Sequence, residues 1–142
     1  MTTSAFNKFN DFTAQLVSAT HNFSSNTFKV ALSNTAPVST NTILSNITQI
    51  SAGNGYTSGG TATTISLANA TGTETVSGTQ TVFTASGGSI GPFRYAVLYN
   101  DTATNKNLVG YFDYGAALTL TDGDTFTVKF SNATPGAILT VV

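Results

Sequence analysis

The chain has 142 residues, 40% of them hydrophobic and 11% aromatic with ten Phe and five Tyr, which suits one globular core and is too apolar for a disordered tail. Only 8% of residues are charged and the net charge is −1, so the five scattered Lys and Arg argue against a nucleic-acid partner. The absence of cysteine excludes disulfides, thiolate metal sites and a Cys nucleophile, and no stretch approaches the ~20 apolar residues of a membrane span.

Residues 4–20 carry a helical stripe, Ala5, Phe9, Phe12, Leu16 and Ala19 at intervals of three and four, with Ser4 as N-cap. Phe6 and Val17 widen its apolar side, so the helix has to lie on its own sheet or dock on another subunit. After Asn22 the period becomes two: Phe28, Val30 and Leu32 predict a strand that Pro37 ends. Residues 39–50 read as a packed loop with one helical turn. Gly53, Asn54, Gly55, Gly59 and Gly60 surround Tyr56 and supply positive-φ turn positions. Residues 61–84 predict two or three short strands broken near Gly72 and Gly78, lying mostly at the surface with Val76 and Phe83 turned inward.

The last third alternates more clearly. Phe93, Tyr95, Val97 and Tyr99 predict one strand face, and Leu108, Gly110, Phe112 and Tyr114 predict the next strand after a turn at 101–106. Asp122-Gly123 reads as the turn of a hairpin joining Leu118 and Leu120 to Phe126, Val128 and Phe130. After Pro135-Gly136, Ile138 to Val142 predicts a closing strand. Seven to nine such strands predict a mainly β protein, an antiparallel β-sandwich or small barrel of jelly-roll or immunoglobulin-like kind, with one N-terminal helix. The expected organisation is a single domain over 1–142, a helix or docking arm at 4–20 followed by the sandwich at 27–142.

Motifs for chemistry are sparse. His21 stands alone, away from any second His, which makes a poor metal site. Asp122 and Asp124 flank a turn glycine, and Asp101 and Asp113 sit where they would meet across a hairpin. Neither pair has the further donors of a calcium loop or the supporting residues of a glycosidase. The glycine clusters lack the Lys-Ser/Thr of a phosphate loop. Arg94, a lone charge in an apolar strand, is expected to point outward or to pair with a carboxylate such as Asp113. Asn-x-Ser/Thr occurs at Asn22, Asn46, Asn69, Asn100 and Asn132, as chance allows in a chain so rich in these residues, and no export signal accompanies it. The expectation is therefore no enzyme activity, no cofactor, no metal and no catalytic residue.

Three segments together, KVALSNTAPV at 29–38, AGNGYTSGG at 52–60 and TASGGSIGPFRYAVLYNDT at 84–102, resemble a group of small β-rich virion proteins of tailed bacteriophages. The likeness extends to AFNKFNDF at 5–12 and DGDTFTVKF at 122–130 and is weakest at 61–82. Capsid decoration or cement proteins are the nearest functional type. The resemblance implies a partner in the major capsid protein, a homo-oligomer with a trimer favoured, and a place on the capsid surface after synthesis in the host cytoplasm. A tail, neck or fibre component is the alternative of the same class. Candidate assembly contacts are Phe6, Phe9 and Phe12 on the helix and Gly53, Asn54, Gly55 and Tyr56 in the glycine loop. The alternative of another class is a carbohydrate-binding module presenting Tyr56, Tyr95 and Tyr111.

Overall fold

The alternation of Phe28, Val30 and Leu32 against Ala31 and Ser33 produces a strand, β2 (Phe28–Ser33), that is buried on both faces. It can be so because neighbours cover both sides of its sheet. The computed structural model describes residues 3–131, 133 and 135–142; the Asn132 sequence lies outside them. Besides β2, the strands are β1 (Phe6–Lys8), β3 (Thr61–Thr63), β4 (Ile65–Ala70), β5 (Thr73–Gly78), β6 (Thr81–Thr84), β7 (Ile90–Asn100), β8 (Leu108–Leu120), β9 (Thr125–Val128) and β10 (Gly136–Val141). One helix, α1 (Phe12–Val17), and a 3-10 turn at Leu44–Asn46 complete the regular structure of the described residues.

The protein is a β-sandwich, not a closed barrel. A five-stranded antiparallel sheet in the order β1-β8-β7-β2-β3 faces a three-stranded sheet, β10-β5-β4, and a two-stranded ribbon, β6-β9. The main core between them holds Phe28, Val30, Leu32, Val76, Phe83, Phe93, Leu98 and Val128. A smaller core covers the other face of the large sheet, where Phe9, Leu44 and Ile47 lie on Ala31, Val97, Tyr99 and Leu108. The loop expected at 39–50, with its single turn, is thus the lid of this second core.

The helix expected over 4–20 is six residues long. Phe6–Lys8 instead pairs with Phe112–Gly110 at the edge of β8, and the Phe9 N–H continues the ladder to the Val109 carbonyl at 3.1 Å. An open edge of a long central strand offers these residues backbone partners and burial together, and that outweighs helical spacing in a segment with Asn7 and Asn10. Gly110 makes the contact possible, because a side chain there would run into the Phe6 ring. Ser4, expected to cap the helix, accepts from the Asp113 N–H at 3.2 Å. The sandwich therefore begins at residue 6, ahead of the helix, and does not start at 27.

Two further expectations are corrected. Asp122-Gly123 does form a tight turn, with the Asp124 N–H bonded to the Thr121 carbonyl, yet β9 pairs with β6 and not with β8. The turn carries the chain from one layer to the other. Phe93 does not share a face with Tyr95, Val97 and Tyr99: register shifts on either side of it place Phe93 in the main core, while Val97 and Tyr99 face the second.

Candidate functional site

The aromatic residues proposed as outward contacts lie largely inside the protein. Phe9 and Phe12 are buried, and Phe6 is half-buried between Phe112, 5.1 Å away, and Phe130, 6.5 Å away. These three rings hold the N-terminal segment on its own sheet and leave no phenylalanine face for a neighbour. Tyr56 is buried too: its hydroxyl donates to Gln49 Oε1 at 2.9 Å and accepts from the Leu32 N–H at 3.1 Å. Burial pushes its phenol above the ordinary range, the Leu32 bond offsetting this only in part.

Gly53, Asn54 and Gly55 are exposed, but the loop is tied down. Asn54 Nδ2 donates to the Ser89 carbonyl at 3.0 Å and the Ser86 N–H to the Asn54 carbonyl at 2.9 Å. At Gly55, with φ +102°, a side chain would strike the Thr84 carbonyl. The glycines therefore let this loop press against the segment after β6. Of the tyrosines considered for sugar stacking, Tyr56 and Tyr95 are buried and Tyr111 is half-buried against Phe9 and Tyr95. They form no common platform.

Polar chemistry is likewise absorbed into structure. Asp101 bridges Lys106 at 2.6 Å and Lys29 at 3.0 Å, which hold its carboxyl below the usual range. Asp113 accepts both Nε and Nη2 of Arg94 at 2.7 and 3.0 Å, and this bond lowers its carboxyl as well. The two acids, expected to meet, thus serve separate cations, whereas the Arg94–Asp113 pairing is as expected. Asp122 accepts from the Gly87 N–H and Asp124 from Thr121, so each fastens a turn. His21 is buried among Phe12, Phe23 and Phe28. Asn100, fully buried, holds the segment around it through the Thr20 carbonyl and Asn26 Oδ1, a position closed to a glycan. Among the described residues, no group of three or more His, Cys, Asp or Glu is placed to hold a metal ion.

What stands out instead is the β10-β5-β4 sheet. Five of the six residues of β4 are exposed, as are three of the six of β10, Ala137, Thr140 and Val141, and Val142 just after it. Leu67, Val141 and Val142 are 42%, 44% and 98% exposed, apolar side chains on or just beyond a narrow sheet, a blade, whose Val76 is buried in the main core. Its three strands carry one charged residue, Glu74, which is bonded to Asn69 Nδ2 at 3.0 Å. β4 and β10 are the outer strands of that sheet. Sequence reading placed 61–84 at the surface but missed the blade, because the partner that completes it, β10, lies some sixty residues away.

No protein-family model matches the chain, and no curated protein or solved structure matches it.

Proposed function

We propose that the protein is a non-enzymatic structural component of a tailed-phage virion, a cement or decoration protein that binds the outside of the capsid and bridges neighbouring major-capsid subunits. The observation that carries this reading is the blade, whose two outer strands have neither Lys nor Pro to discourage pairing and carry exposed residues along their length. Such edges are a hazard on a freely diffusing protein and a useful contact on one that ends in a lattice. The low charge agrees, since little repulsion separates copies or keeps them from an uncharged neighbour. Three copies around a local three-fold axis would each offer one edge to the shell and one to the next copy, which favours a trimer.

The test is to add purified protein to shells that lack it, then measure lattice occupancy by cryo-microscopy and the temperature at which shells open. Density at regular positions and a higher opening temperature are expected, with both lost in a Leu67→Lys, Thr140→Lys double variant that still folds. Rings or stacks of the protein alone, with bare shells, would transfer it to the tail or neck.

A further inference from the structure

The sandwich is open along one seam. β7 and β8 are in register at Tyr95↔Asp113 and again at Phe93↔Leu118, so the four residues 114–117 stand opposite Arg94 alone. Beside this bulge, where Arg94 and Tyr114 line it, lies a cleft of about 600 Å³, a size typical of small-ligand sites. Its far wall is the segment 125–131, every residue of which lines the cleft. Side chains of a strand alternate between faces, so an unbroken run lines a space only where the strand turns its backbone edge toward it. β9 is paired with β6 on its other side, and among the described residues no backbone bond reaches the free edge.

Three kinds of group meet there. Half-buried rings of Phe112, Tyr114, Phe126 and Phe130 supply apolar surface, with Tyr114 5.8 Å from Phe126 and Phe130 5.9 Å from Phe112. Arg94 lines the same space and is held there by Asp113 behind it, the two side chains 39% and 35% exposed, and among the described residues Arg94 Nη1 has no acceptor. The edge of β9 adds unpaired amides and carbonyls.

We infer that this cleft binds a neutral saccharide unit. A sugar ring turns C–H groups toward the aromatic rings, while each of its hydroxyls both donates and accepts, matching a charge-neutral ion pair beside a free strand edge. The other ligand classes fit less well. A phosphate or carboxylate would compete with Asp113 for Arg94, and a cation would compete with Arg94 for Asp113. A wholly apolar ligand would strip water from the ion pair and the strand edge without replacing its hydrogen bonds. An extended peptide would find only the four-residue edge of β9, too short for more than a few ladder bonds. The site shares no residue with the blade, so saccharide binding and capsid decoration stand or fall separately.

The test is a titration of the ¹⁵N-labelled full chain with neutral tetrasaccharides of glucose, mannose and galactose, followed through its backbone amide signals. At least one should give saturable shifts confined to residues 93–96, 112–115 and 125–131, with none around Leu44–Ile47 beneath the opposite face. Tyr114→Ala should weaken binding at least tenfold, and Leu67→Lys, on β4 away from the cleft, should leave it within twofold. Asp113→Asn, which keeps the side-chain shape, should weaken it at least threefold and serves if the first variant does not fold. Three results would overturn the inference: silence of all three sugars at tens of millimolar, binding only of acidic sugars in a Lys129-dependent way, or occupation of the β9 edge by a peptide or a second copy while the sugars do nothing.

Discussion

Replacing His21 by Phe should remove most of the acid sensitivity of this fold between pH 6.5 and 4. His21 is 4% exposed and stacks on Phe12 at 5.2 Å, with Phe23 and Phe28 at 6.2 and 6.1 Å. Asn100 directs its amide nitrogen at the ring, because its oxygen already accepts from the Thr102 and Ala103 N–H groups. Nδ1 of the imidazole is therefore an acceptor, and among the described residues Nε2 has no partner within hydrogen-bond distance. Burial lowers the imidazole from 6.5 to about 4, against the pull of Asp11 in the other direction. The unfolded chain thus takes up the proton first as pH falls. Stability is complete above pH 6.5 and declines towards pH 4, by roughly 3 kcal/mol at most. Asp101, Asp113 and Asp124, whose carboxyls are held below 3.8, lose their contributions at lower pH and so leave this window clear. A phenyl ring cannot take up a proton, and Asn100 keeps Thr20 and Asn26 as acceptors in the variant. The assay is urea unfolding at pH 7, 6, 5 and 4.5, comparing how the stability of each protein changes with pH. The same pH slope in wild type and His21→Phe, or an imidazole in the folded protein that titrates near 6.5, would refute the reasoning.

Phe9→Ala should destabilise the isolated protein by about 3–5 kcal/mol in denaturant melts, because the ring is fully buried in the second core; a neutral result would return Phe9 to the surface. Gly55→Ala should cost more than about 1 kcal/mol through its positive φ and the Thr84 carbonyl, and amide exchange at Ser86 should quicken as the loop lifts. Asp101→Asn should cost about 0.5–1 kcal/mol at pH 7, a loss that shrinks in 1 M salt. The same difference should fade as pH falls below 3.8 through the lowered native value, since the unsubstituted carboxyl is then neutral as well.

Much of the fold was legible because its strands alternate strongly. Phe28, Val30 and Leu32, the inward Val76 and Phe83, the pairing of Arg94 with Asp113 and the closing strand near 138–142 follow from residue type and a period of two. Local periodicity has no access to which strand receives a segment. Phe6–Lys8 lies within a helical stripe, and only the free edge of β8 beside Gly110 makes it a strand; Asp122-Gly123 has hairpin chemistry, and only layer packing sends β9 to β6. The same limit applies to the candidate sites. Aromatic content pointed to Phe9, Phe12 and Tyr56, which the protein consumes in its own cores, because hydrophobicity alone does not distinguish a ring meant for the interior from one meant for a partner. The sequence by itself determined a nearly uncharged, alternating β chain. The tertiary structure decided which edges stay open, because the blade arises from pairings and the cleft lies beside a register shift between residues distant along the chain.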